Sequence, residues 1–345
     1  MTAPVVSVIV PCRNEARYIG PCLESLLSAE YPAERLEILV VDGMSDDGTA
    51  ERVREFAGRD ARVRLLLNPK RIVPCAMNVG LAAARGEVIM RMDAHSDYPP
   101  NYIPALVGWL ERTGADNVGG ACHTVPADDS PTAQAIALAL AHPFGIGNAW
   151  FRRGVTAPTR VDTVPFGCFR PELFRRIGGF DEELVRNQDD ELNFRILRHG
   201  GSVLLVPDVV CRYYARSSFR QLGRTYYQYG LFKPLVAYKI GRVMTARQLA
   251  PPAFVLTLLI CAAAAPWSMA ARVALGLVIL AYATVALGMG LNGARGRGAR
   301  TGALLAGAFA TLHISYGLGF LAGTIGLAVR RWRPGPEPAA IPLSR

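Results

Sequence analysis

Three short polar clusters close apolar runs in the first hundred residues of this 345-residue sequence. Pro11-Cys12-Arg13-Asn14-Glu15 closes the apolar run at 5–11. Asp42-Gly43-Met44-Ser45-Asp46-Asp47-Gly48 closes the run at 36–41, and Asp93-Ala94-His95 closes 88–92. Carboxylates, an amide and an imidazole can hydrogen-bond a polar ligand. Each cluster alone is also ordinary turn chemistry, because Asn, Asp and Gly favour turns. Their shared position favours function: open α/β sheets bind ligands outside the carboxyl ends of their strands, so three clusters at equivalent ends make one site. Further along, Asp189-Asp190-Glu191 is a run of three acids. It also suits a helix N-terminus, whose dipole favours negative charge.

The elements that must position these residues follow from patterning. The continuous apolar run 5–11 suits a strand buried on both faces. Ile19, Cys22, Leu23, Leu26 and Leu27 follow at helical spacing, with Asn14 as the expected N-cap. Residues 36–41, 63–67 and 88–92 read as further strands. Alternating strands and helices imply an α/β sheet with parallel strands.

The C-terminal part differs in kind. Uncharged stretches cover 248–271, 273–294 and 301–329. A membrane-spanning helix needs about 20 apolar residues, so all three are candidate spans. One buried hairpin of a soluble domain is the alternative, and three segments in succession disfavour it. The net charge of +10 divides unevenly: residues 1–247 hold 30 basic against 27 acidic residues, and 248–345 hold 8 arginines against Glu337. Basic charge concentrated in the most apolar region fits a membrane protein with cytoplasmic arginines, not a nucleic-acid binder. Two crossings return Arg295, Arg297 and Arg300 to the side of residue 247. A third would place Arg330, Arg331 and Arg333 opposite. The third segment, with His313, Ser315, Tyr316 and glycines 317, 319, 323 and 326, is therefore a full span, a bent or re-entrant segment, or an interfacial one. Residues 217–242 mix basic and aromatic residues as a helix on a membrane surface does. Seven cysteines without a C-x-x-C pair read as free thiols in a reducing compartment. Residues 2–10 lack a basic flank, so no cleavable leader is expected. Phosphate-loop, zinc-protease and serine-hydrolase motifs do not occur, nor does an internal repeat, and Gly288 and Gly290 lie in an apolar segment and not after a soluble strand, so they are no dinucleotide fingerprint.

The ordered set SVIVPCRNE, LVVDGMSDDGT, the N-x-G-x-x-x-A-x-G stretch at 78–86, RMDAH, IGGFDEE and QDDELNFRI is similar to inverting family 2 glycosyltransferases with a GT-A fold. The resemblance covers roughly residues 5–235. RMDAHSDYP and HISYGLGF resemble the succinoglycan-biosynthesis branch of that family. The resemblance implies an α/β GT-A catalytic domain at 1–215, an amphipathic interfacial segment at 216–247, a membrane region of two to three helices at 248–333 and a flexible tail at 334–345. It implies nucleotide-sugar contacts from Pro11, Arg13, Asn14, Glu15, Asp42, Ser45, Asp46, Asn78 and Asp93. Glu15 and Asp42 match positions that hold the base and ribose.

Asp93 matches the first acid of the D-x-D metal motif, which implies a bound Mg²⁺ or Mn²⁺ that neutralises the departing diphosphate. His95 stands where the second acid is usual. Imidazole ligates Mn²⁺ more naturally than Mg²⁺, and a hydrogen-bonding or core role is the alternative. Asp97 is a substitute ligand. Asp189 takes the catalytic-base position with Gln188 in place of the usual Glu, and Asp190 is the alternate. Gly167 and Cys168 match the acceptor border. Arg216, Arg220, Arg224, Gln228 and Lys233 are candidates for diphosphate binding or for anionic lipid headgroups. The implied enzyme sits in a bacterial inner membrane with its catalytic domain in the cytoplasm. It moves a sugar, with UDP-glucose the expected donor, onto a polyprenyl-diphosphate-linked saccharide. Its rivals are a polyprenyl-phosphate glycosyltransferase and a non-catalytic nucleotide-sugar-binding assembly protein.

Overall fold

The computed structural model describes residues 2–147, 149–241 and 245–330. Strands β1 (Val6–Cys12), β2 (Leu36–Asp42), β3 (Val63–Leu67) and β4 (Val88–Arg91) alternate with helices α1 (Ile19–Leu27), α2 (Thr49–Arg59) and α3 (Val73–Ala83). These four strands pair in parallel in the order β3-β2-β1-β4. The register of β1 on β2 places Cys12 beside Asp42, so the first two polar clusters leave the sheet side by side.

The sheet then becomes mixed. It continues through β5 (Ser96–Asp97), α4 (Tyr102–Thr113), β6 (Asn117–Val125), α5 (Pro131–Ala141), α6 (Pro143–Ile146), α7 (Trp150–Arg153), β7 (Thr159–Arg160), β8 (Cys168–Phe169), α8 (Pro171–Ile177), α9 (Gln188–Arg198) and β9 (Val203–Tyr214). Two-residue β8 enters antiparallel between β4 and β6, and β5 and β7 pair antiparallel with β9. The expectation of parallel strands therefore holds for β1 to β4 and for the long β6–β9 pair, and is corrected for the two-residue strands β5, β7 and β8. Strands this short carry no periodicity that a sequence reading can detect.

Both faces of the sheet are covered. Val6, Val8 and Val10 pack with Ile19, Leu23 and Leu26 of α1 and with Leu106 of α4. Ile9, Leu39 and Val41 point the other way, against Ala76 and Met77 of α3 and Leu192 and Ile196 of α9. This alternation explains why the early strands read as unbroken apolar runs. Asn14 does not cap α1: the helix begins at Ile19, and Asn14 sits in the left-handed region at φ 56°. All seven cysteines are free.

Four long helices follow: α10 (Phe219–Ile240), α11 (Ala250–Ala264), α12 (Met269–Gly293) and α13 (Ala299–Arg330). Three stretches, Arg247–Ala264, Met269–Gly293 and Ala299–Val329, are long and apolar enough to cross a membrane. Helix α10 forms where a surface helix was expected, but protein covers its apolar face. Phe232, Leu235 and Val236 pack with Leu184, Val185 and Phe194, and Leu222 packs with Leu305, Phe309 and Leu312 of α13. The third apolar segment is one continuous helix, unbroken at its glycines. Arg331, Arg333 and the tail 334–345 lie outside the described residues.

Candidate active site

The polar ends of β1, β2 and β4 open onto one cavity of about 810 Å³. Pro11, Arg13 and Glu15 reach it from the end of β1, Gly43 from β2, and Asp93 and His95 from β4. The first turn of α9 adds Asp189 and Asp190. The first two loops are stitched together. Ser45 Oγ accepts the Asn14 N–H at 2.9 Å, and Asn14 Oδ1 accepts the Asp46 N–H at 3.1 Å. Asp47 Oδ2 accepts the Ala16 N–H at 3.0 Å, and Thr49 Oγ1 accepts the Glu15 N–H at 2.8 Å. Five non-glycine residues among those described have positive φ: Asn14, Met44, Arg71, Phe166 and Asn187. Arg71, Phe166 and Asn187 line the cavity, and Asn14 and Met44 adjoin lining residues. Such conformations cost of order 1–3 kcal/mol each and gather at functional sites.

Arg91 organises the acids. Its side chain is 6% exposed. Nε and Nη2 both donate to Asp93 Oδ1, at 3.2 and 3.0 Å, and Nη1 donates to Asp189 Oδ1. The Tyr98 hydroxyl accepts the Asp93 N–H at 2.7 Å and fixes the turn. Asp189 keeps 30% of its side chain open to the cavity. Even so, the surrounding protein removes enough water to push its carboxyl up to about 6, against the opposing pull of Arg91. Asp190 is held by Lys233 at 2.5 Å. Asp97, the substitute ligand, accepts the Tyr214 hydroxyl at 2.6 Å.

His95 keeps 12% of its side chain exposed, and its imidazole is pushed down to about 4, first by loss of water around it and then by Arg216. It is neutral at pH 7, so Nδ1–H donates to Glu15 Oε1 at 3.2 Å and Nε2 carries the lone pair. That Nε2 is buried without a partner. Among the described residues no group of three or more His, Cys, Asp or Glu gathers as a metal cage. A cavity-lining carboxylate and an unpartnered imidazole nitrogen nonetheless suit a divalent ion that takes its remaining ligands from a phosphate.

Several expected contacts fall elsewhere. Asp42 turns inward, accepting from Ser45 N and Oγ at 3.0 and 2.5 Å, and lies behind the cavity wall. Exposed Asp46 does not line the cavity. Asn78 brackets the Phe180 backbone, accepting its N–H and donating to its carbonyl, each at 2.9 Å. Gly167 packs under the Phe169 ring, and fully buried Cys168 joins β4 to β6; neither faces the cavity. Arg220 and Arg224 are exposed and lie away from it. Gln228 stands one layer back and accepts Arg186 Nε at 3.1 Å.

Of the basic residues expected on 216–247, Arg216 and Lys233 do line the cavity, and Arg152 and Arg186 join them, which sequence spacing did not reveal because they arise from separate segments. Arg152 lies over the Tyr213 ring, and Arg216 Nη1 is buried without a partner. Eight basic side chains line the cavity against five acids, so it favours an anion. Arg91 did leave a trace: an arginine within the apolar run before Asp93 must find a buried partner.

The far wall is aromatic. Phe254 of α11, Tyr282 of α12, and Leu312, His313 and Tyr316 of α13 reach the same cavity. His313 bonds the Tyr282 hydroxyl and the Phe144 carbonyl, both at 2.8 Å, tying α12 and α13 to the wall.

Residues 7–176 match the model of Glycosyl transferase family 2. The succinoglycan biosynthesis protein ExoA of Rhizobium meliloti is 31% identical over 93% of this chain and 95% of its own length. The chain belongs to glycosyl transferase family 2. This glycosyltransferase is also 26% identical, over 68% of its length and 74% of the relative's, to a Methanococcus voltae transferase. That enzyme is named dolichyl N-acetyl-alpha-D-glucosaminyl phosphate 3-beta-D-2,3-diacetamido-2,3-dideoxy-beta-D-glucuronosyltransferase. The mannosyltransferase PcManGT of Pyrobaculum calidifontis, solved with GDP-Man and Mn²⁺, superposes with a TM-score of 0.55. It is 25% identical, covering 92% of this chain and 87% of that one. The fold is thus a GT-A-like α/β domain followed by apolar helices.

Proposed function

We propose that this family 2 glycosyltransferase is a membrane-anchored, inverting enzyme that moves a sugar from a nucleotide-sugar onto a lipid-linked saccharide. One observation carries the reading. A single cavity runs from the strand-end loops, past Asp189, to an aromatic wall built by the three apolar helices. A nucleotide-sugar fits the first end and a lipid-borne acceptor the second. UDP-glucose remains the donor proposed from the motifs. The relatives' names add support for lipid-linked and exopolysaccharide substrates.

In this reading Asp189 takes the proton of the acceptor hydroxyl as that oxygen bonds to C1. The bond from C1 to the diphosphate breaks on the opposite face, which inverts the configuration. Raised to about 6, Asp189 is ionised at pH 7 yet basic enough to accept a proton. Asp93 and His95 would hold a divalent ion, whose charge offsets that of the leaving diphosphate. Arg152, Arg186, Arg216 and Lys233 would bind the acceptor's phosphate groups.

A donor screen reading released nucleotide tests the proposal. UDP- and GDP-sugars are compared with Mn²⁺, Mg²⁺ or chelator. Release from a UDP-sugar, abolished by chelation, is expected; full activity in chelator would sink the metal assignment. Sugar-capped lipid should be a substrate, and transfer to bare polyprenyl phosphate alone would favour the rival enzyme. Arg216→Gln is expected to raise KM for the lipid acceptor roughly tenfold or more with kcat little changed. An unchanged KM would remove Arg216 from the acceptor site.

A further inference from the structure

Arg91 is the last residue of β4, and Asp93 follows it by two residues with its carboxylate turned onto the Arg91 guanidinium. The Arg91 N–H donates to the Gly167 carbonyl at 3.0 Å, which fixes its place in the sheet. A buried guanidinium is costly unless paired. Here its partners are the two carboxylates assigned above to the metal and to the proton. Asp93 Oδ1 already receives two N–H groups from it. A divalent ion approaching Asp93 therefore meets a resident cation and a carboxylate whose charge is largely compensated.

We propose that Arg91 is a charge lock that keeps divalent metal off Asp93 until the donor diphosphate arrives. With only one carboxylate and one imidazole from the protein, and with Arg91 in competition, the ion binds weakly alone. The diphosphate supplies further oxygen ligands and negative charge, and the balance then turns toward the ion. Metal and nucleotide thus strengthen one another's binding, and linkage requires the two effects to be equal. Arg91 is a positioning residue in this scheme, acting through Asp93 and Asp189. The inference rests on the assignment of Asp93 as a metal ligand.

The test follows the free Mn²⁺ signal by electron paramagnetic resonance in titrations of the full-length protein in detergent, with and without UDP. Wild type is expected to bind Mn²⁺ weakly alone and far more tightly with UDP. Arg91→Gln should bind Mn²⁺ about tenfold more tightly without UDP, or about 1.4 kcal/mol, and gain correspondingly less from UDP. Arg91→Lys keeps the charge and should stay near wild type. Arg220→Gln removes an exposed cation that lies away from the cavity, and should leave UDP-free Mn²⁺ affinity nearly unchanged.

Equal UDP-free affinity in Arg91→Gln and wild type would overturn the lock. So would tight Mn²⁺ binding by wild type without nucleotide, a measurement that needs no variant. Asp93→Asn separates the premise: if UDP-dependent Mn²⁺ binding survives it, the metal assignment itself fails.

Discussion

Asp189→Asn is expected to lower kcat by roughly 10²–10⁴-fold, the range over which a positioned general base contributes, with donor KM little altered. The amide keeps the shape of the carboxylate and removes its capacity to accept a proton. Arg91 still has Asp93 as a partner, so the fold should persist, checked by an unchanged melting temperature. Transfer to lipid acceptor at the wild-type rate would remove Asp189 from the chemistry. Asp190→Asn would then be the next variant to measure, although its pairing with Lys233 argues for a structural part. The wild-type pH profile gives a second reading. With the Asp189 carboxyl pushed up to about 6 by burial, kcat/KM should fall as pH drops through about 6, because the base becomes protonated. A profile flat down to pH 5 would contradict that environment.

Gly319→Ala is expected to destabilise the protein, against the helix propensity of the two residues. Alanine in place of glycine in a helix normally stabilises by about 1 kcal/mol. Here a Cβ would stand 2.1 Å from the Tyr227 carbonyl oxygen on α10. The same crossing admits no Cβ at Gly230, which would meet the Tyr316 carbonyl at 2.1 Å, or at Gly323, which would meet that of Leu231 at 2.2 Å. The obstructing atoms are backbone and cannot rotate away, so α10 and α13 must separate. Small residues commonly let apolar helices approach this closely. A loss of roughly 1–3 kcal/mol is expected for alanine, and failure to fold for Gly319→Leu. Activity should fall as well, because α10 carries Tyr229 and Lys233 to the cavity. Gly326 on the same helix has nothing within 4 Å of its Cβ position, so Gly326→Ala should follow propensity and stabilise slightly. Thermal unfolding of the two variants in one detergent decides. Equal shifts would refute the close-packing account.

The local order of the early strands and of the long helices was legible from residue types. Strands β1, β2 and β4 are buried on both faces, so they read as apolar runs closed by polar turns. The acids at 93 and 189 stood out for the same reason. The capping of α1 was misread because Asn14 serves equally well as a helix cap or as a left-handed turn residue. Its bonds to Ser45 and Asp46, more than thirty residues away, choose the second.

The sequence by itself determined the family, the α/β catalytic domain, three apolar helices and the uneven charge, because these rest on short-range pattern and composition. Only the tertiary structure decided what shares the cavity. Arg91 ties Asp93 to Asp189 across nearly a hundred residues. Arg152 and Arg186 join Arg216 in place of Arg220 and Arg224, because the outer face of α10 turns away from the site. The glycines of α13, readable as bends, instead seat that helix against its neighbours. In each case the deciding term is packing between segments far apart in the chain, which no local spacing encodes.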